Sequence, residues 1–216
     1  YCHKTLGLPK ENIKVYIDAT YGKILGALST LKQISQAYKG DINVIFYYAG
    51  HGVPNEKNNE AYLLPADATP SMLEACLPLS SLYSSIGSID AKQAIVFMDA
   101  CFSGSRRENG MIVSARGVAI KPKKDMVTGN VVVFSAADGS ETAYPYKEKG
   151  HGLFTYFLLK KLKESRGNVT LGDLADYVKT NVSQKSIVVN NKSQTPTISS
   201  SAQMQDVWRT MKLFRK

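Results

Sequence analysis

Two short, continuously apolar runs, residues 43–48 and 94–98, each preceded by an amphipathic helical pattern, most constrain how this chain can fold. Runs that do not alternate apolar with polar side chains fit strands buried on both faces, as in a parallel sheet covered by helices. Residues 131–135 are a further apolar run, rich in β-branched side chains. Residues 13–18 read as a short strand, and residues 194–200, with Pro196, as a final edge strand. Helical patterns alternate with these runs. Ile24, Leu25, Leu28, Leu31, Ile34 and Tyr38 fall on one face over residues 22–38, and residues 79–89 form a second amphipathic pattern. Leu153, Phe154, Phe157, Leu158 and Leu162 mark a third helix over residues 153–164. Thr170-Leu171-Gly172-Asp173 resembles a capping box, with Asp in place of Glu or Gln, and opens a helix running to about Val182. The alternation predicts an α/β fold, a three-layer α/β/α sandwich around a mainly parallel sheet of about six strands.

The 216 residues read as a single domain, 1–216, long enough to bury a sizeable core. No apolar run approaches the roughly 18 residues of a membrane span, so no membrane partner is expected. The net charge of +9 comes from scattered basic residues, concentrated only at 106–124 and 209–216. Without zinc-ligand spacing or aromatic-basic alternation, that charge reads as a solvated surface and not as a specific nucleic-acid site. Cys2, Cys76 and Cys101 are too few for a disulfide framework and leave one thiol unpaired, which fits a reducing, cytoplasmic setting. Cys2 and Cys76 read as small hydrophobes. Residues 102–130 lack periodicity and carry Arg106, Arg107, Arg116, Lys121, Lys123 and Lys124 against only Glu108 and Asp125. A loop of that length is functional or disordered.

The chemistry lies at the ends of the two apolar runs. The first leads into Tyr47-Tyr48-Ala49-Gly50-His51-Gly52 and the second into Asp99-Ala100-Cys101-Phe102-Ser103-Gly104. Open α/β sheets gather ligands at the carboxyl ends of their strands, so His51 and Cys101 are expected side by side. A free thiol has a pKa of about 8.5, and an adjacent imidazole that takes its proton makes a thiolate nucleophile and later protonates the leaving amine. The Gly52 and Cys101 N–H groups are candidate oxyanion donors. A second Gly-His-Gly, at Gly150–Gly152, precedes a helix, whose N-terminal dipole disfavours an imidazolium. His151 therefore reads as a turn or helix-start residue, and His3 carries no signal. Asp99 lies two residues before Cys101, so in a continuing strand both side chains face one side. A carboxylate there raises the thiol pKa unless a cation compensates it. Asp99 can select an Arg or Lys side chain of a substrate, orient His51, or cap the turn.

At these residues the chain resembles the caspase-like cysteine peptidases, and metacaspases and their bacterial relatives more than animal caspases. The spacing from His51 to Cys101 matches the caspase pattern, whereas Asp99 stands where caspases have Gln. Tyr62-Leu63-Leu64-Pro65-Ala66-Asp67, Ser135-Ala136-Ala137-Asp138-Gly139 through Ala143-Tyr144, His151-Gly152-Leu153-Phe154-Thr155 and Gln194-Thr195-Pro196 look like further family positions. The resemblance implies a caspase-like fold whose first strand lies before Tyr1. It also implies cleavage of protein substrates after Arg or Lys, with Cys101 as nucleophile, His51 as base and Asp99 as selector. Ser135, Ala136, Asp138 and Glu141 would line the substrate groove, Asp138 or Glu141 adding a second acid. Ala49 replaces a residue that is often Ser in metacaspases. No cofactor is implied beyond calcium, which many metacaspases need, and no dense acidic cluster of the usual kind is visible. An enzyme of this specificity could cut itself at Arg106, Arg107 or Arg116.

Overall fold

The computed structural model describes residues 1–55, 60–102, 106–108, 111–113 and 127–213. Three long strands form its centre: β1 (Asn43–Asn55), β4 (Gln93–Cys101) and β7 (Val131–Ser135). They pair in parallel, β4 in the middle. On one side β1 pairs with β2 (Glu60–Leu63), which pairs with β3 (Leu77–Pro78), and on the other β7 pairs with β10 (Thr197–Ser200). These flanking pairs are antiparallel, so the six-stranded sheet is mixed and runs β10-β7-β4-β1-β2-β3.

The strand period of two sorts the apolar side chains onto two faces. Val96 and Met98 of β4 join Val44, Val131 and Val133 in a core covered by α1 (Tyr21–Ala37) and α2 (Leu79–Gly87). Ile95 and Phe97 join Val132 and Phe134 in a second core beneath α3 (Leu153–Glu164) and α4 (Leu171–Asn190). Burial on both faces is why β4 reads as an unbroken apolar run. Thr20 caps α1 by accepting from the Lys23 N–H, and Thr170 caps α4 by accepting from the Asp173 N–H while donating to the Asp173 carboxylate.

Three differences from the sequence reading matter. Both central strands are longer than their apolar runs, so His51 and Cys101 are strand residues and do not follow the strands. Residues 13–18 form no strand: Val15 and Ile17 are 76% and 79% exposed, and among the described residues nothing pairs with this stretch. An isolated extended segment has no ladder to stabilise it. Helix α4 runs on to Asn190, where Asn191 closes it in the left-handed conformation. Within 102–130 the described backbone includes a hairpin, β5 (Arg106–Glu108) with β6 (Met111–Val113), Arg106 opposite Val113. Arg106 and Arg107 thus lie on a strand, and Arg116 lies outside the described residues. No helix among the described residues is long and apolar enough to cross a membrane.

Candidate active site

The register of β1 with β4 pairs Ala49 with Asp99, Gly50 with Ala100 and His51 with Cys101. Paired residues of neighbouring strands lie about 4.8 Å apart in the pairing direction and share a face. Ile45, Ile95 and Phe97 belong to the α3–α4 side, so alternation carries Tyr47, His51, Asp99 and Cys101 to that same side. His51 is exposed and the Cys101 thiol partly so. The two side chains required for thiolate chemistry therefore emerge next to each other at the carboxyl edge of the parallel strands.

The backbone around His51 is held from below. The Leu64 N–H donates to the His51 carbonyl at 3.0 Å. The Tyr48 hydroxyl is shared between the His51 and Leu64 carbonyls, at 2.9 and 3.3 Å. Burial, with Cys76 adding to it against the Leu64 bond, pushes the Tyr48 hydroxyl up to about 12, so it stays a donor. Because His51 turns its backbone groups to β2, the next N–H along the strand, that of Gly52, faces the β4 side where Cys101 ends its strand. Gly52 admits no side chain. A Cβ there would overlap the Phe102 ring and lie 2.7 Å from the Cys101 carbonyl oxygen.

Asp99 sits in a denser network. Its Oδ2 accepts from the Thr155 hydroxyl at 2.5 Å and from the Thr155 N–H at 3.3 Å, and it lies against the backbone of Gly152 so closely that a Cβ would overlap it. The Tyr47 hydroxyl meets the Thr155 hydroxyl at 2.7 Å. Burial pushes the Asp99 carboxyl above its ordinary value, against the two Thr155 bonds and the nearby His151, which pull it down. His151 lies on β9 (His151–Gly152), paired with β8 (Pro145–Tyr146), directly before α3. It is thus a helix-start residue, and one close enough to Asp99 to act on its charge.

The groove-lining candidates separate. Ala136 is buried on the α3–α4 side, whereas alternation sends Ser135 to the opposite face. Asp138 accepts from the N–H and hydroxyl of Ser140 in its own turn. Both carboxylate oxygens of Glu141 are taken by Thr195, one by its N–H and one by its hydroxyl. Buried Gln194 donates to the Ala136 carbonyl at 2.9 Å and accepts from the Tyr144 N–H at 2.8 Å, closing the loop between them. Among the described residues no group of three or more His, Cys, Asp or Glu could hold a metal ion. Tyr47, Gly152 and Thr155 lie within the motifs around His51 and His151, but local sequence gives these three no role in the site. One signal was available: α3 starts at Gly152 with no capping side chain of its own, so its cap had to come from elsewhere in the fold.

The sequence matches the family model for the caspase domain over residues 4–207. A paracaspase from Dictyostelium discoideum is 28% identical over 158 residues, covering 73% of this chain and 36% of that protein. A bacterial protein named "Probable protease", from a Desulfuromonadales bacterium, is 26% identical over 159 residues, covering 72% of this chain and 19% of that protein. The chain therefore spans about a third of the first relative and about a fifth of the second. Caspase-1 from Spodoptera frugiperda shares the fold with a TM-score of 0.60 at 17% identity, over 91% of this chain and 73% of that structure. A family match over nearly the whole chain, on a helix-covered sheet of that architecture, makes this chain a member of the caspase family of cysteine peptidases.

Proposed function

We propose that this domain cleaves protein substrates after Arg or Lys, as metacaspases do, through Cys101 and His51. The observation that carries the specificity is the carboxylate of Asp99, partly buried on the same face as the His51–Cys101 pair. A carboxylate two residues from a thiolate is unfavourable, and a cationic substrate side chain relieves it. In the proposed reaction His51 takes the Cys101 proton and the sulfur adds to the scissile carbonyl carbon. The oxyanion meets the N–H groups of Gly52 and Cys101. On collapse the C–N bond breaks and the leaving amine takes the proton from His51. Water, deprotonated by His51, then adds to the thioester, and the acid product leaves as the Cys101 thiol regains its proton. Arg106, Arg107 and Arg116, just downstream of the nucleophile, are the first peptide bonds such an enzyme would meet.

The test is a panel of fluorogenic peptides ending in Arg, Lys or Asp, given to wild type, Cys101→Ala and Asp99→Asn, with intact-mass measurement of each fresh preparation. Wild type should turn over the Arg and Lys peptides only. Cys101→Ala should lose activity by about three orders of magnitude or more and keep its full mass. Asp99→Asn should lose about 100-fold or more on the basic peptides. Turnover of the Asp peptide alone would remove the specificity, and undiminished turnover in Cys101→Ala would remove the mechanism. A wild type inert toward every peptide would leave the domain as an interaction module with a latent site.

A further inference from the structure

We propose that Thr155, backed by Tyr47, is the positioning residue that holds Asp99 charged and aimed for a basic substrate side chain, a role that rests on the Arg/Lys reading above.

The directions of the hydrogen bonds follow from proton counting. An ionised carboxylate only accepts, so the one hydroxyl proton of Thr155 goes to Asp99, and the Tyr47 hydroxyl must donate to Thr155. Tyr47 keeps that proton, since burial and the Asp99 charge raise its pKa against the Thr155 bond. The chain Tyr47 to Thr155 to Asp99 therefore runs in one direction and ends on Oδ2. Thr155 is only 6% exposed, so its hydroxyl depends on these two partners.

The Thr155 N–H on the same oxygen adds a second constraint. It is the third N–H of α3, one of the donors a capping side chain normally takes, and Gly152 at the cap position has no side chain to offer. Asp99 caps α3 from another strand, where the positive end of the helix dipole favours its charge. Oδ2 is fixed by Thr155 and pressed on Gly152, while Oδ1 accepts no hydrogen bond among the described residues. One oxygen is anchored and the other is left for a guanidinium or ammonium.

The titratable groups facing Asp99 are Tyr47 and His51 from β1, Cys101 on its own strand β4, and His151 from β9. The first turn of α3 offers Leu153, Phe154, Thr155 and Tyr156, whose ring packs on Tyr146 and Phe157, and the residue after β7 is Ala136. Among the described residues Thr155 is thus the one neutral donor placed to favour the ionised carboxylate directly. Loss of its hydroxyl removes a bond to the charged form, so Asp99 holds its proton to higher pH. A substrate cation binds the ionised form, and the acid limb of kcat/KM on a basic peptide must move up with it.

Measure kcat/KM against pH on an Arg peptide for wild type, Thr155→Val, Thr155→Ser, Tyr47→Phe and Asp99→Asn, and measure alkylation of Cys101 by iodoacetamide in each. Thr155→Val should lose about 10- to 100-fold, chiefly in KM, with the acid limb shifted to higher pH, while alkylation stays within about twofold. Thr155→Ser should restore both, and Tyr47→Phe should shift the limb the same way by less. An unmoved limb in Thr155→Val, or alkylation falling as far as peptide turnover, overturns the inference. If Thr155→Val does not fold, Tyr47→Phe decides, and an unmoved limb there overturns it. Full Arg turnover in Asp99→Asn instead removes the Arg/Lys reading underneath, a result that Thr155 variants cannot produce.

Discussion

Gly52 is squeezed between the Phe102 ring and the Cys101 carbonyl, and a single methyl group there has nowhere to go. The strain falls between the two residues proposed to carry the chemistry, since His51 precedes Gly52 and Cys101 precedes Phe102. Gly52→Ala should cost about 1–3 kcal/mol by overpacking and more than about 100-fold in kcat/KM by displacing the proposed oxyanion donors. A thermal melt and Arg-peptide kinetics check this together, and wild-type turnover in a folded Gly52→Ala would contradict it. At this scale the sequence was most legible where chemistry is local. The residues flanking His51 and Cys101 announce them, and Asp99 is tied to Cys101 by the strand period alone. Thr155 and Tyr47 are 108 residues apart, and only the pairing of β1 with β4 and the docking of α3 bring them to Asp99.

Elements were legible where they bury themselves by their own pattern. The third helix runs over Leu153–Glu164 as its spacing predicts, because its apolar stripe and its core coincide. Strand β1 outruns its apolar pattern, since its second half contains two glycines and a proline and is held by β2, a partner that no local pattern reveals. The composition of residues 13–18 suits a strand, yet pairing decides. Gln194 carries an element-scale prediction of the same non-local kind. It joins the end of β7 to the segment before β8 through the Ala136 carbonyl and the Tyr144 N–H. Gln194→Leu preserves volume but leaves both backbone groups without this partner, so it should destabilise by about 2–4 kcal/mol. Amide exchange should speed up at Tyr144 ahead of the β4 amides, and uniform protection across both would count against the latch.

For the whole molecule, a carboxyl group at the carboxyl edge of the sheet, on the face covered by α3 and α4, is a stability liability. Burial raises the Asp99 carboxyl pKa in the fold despite the two Thr155 bonds and the nearby His151, which pull it down. The folded state therefore binds a proton more tightly than the unfolded chain, where Asp titrates near its usual value of about 3.9. The contribution of Asp99 to stability is then fully present below that ordinary value and is lost as pH rises through the folded one. At neutral pH the ionised carboxylate weighs against folding. Asp99→Asn keeps an oxygen to cap α3 and cannot ionise. It should melt above wild type at pH 7, by about 2–4 °C for each kcal/mol relieved in a domain of this size. Near pH 3.5 the protonated acid and the amide are both neutral, and the two melting curves should converge. The other ionisable side chains are the same in both proteins, so the difference between them isolates one residue. A difference that does not change with pH, or that grows on acidification, would mean that burial does not control Asp99.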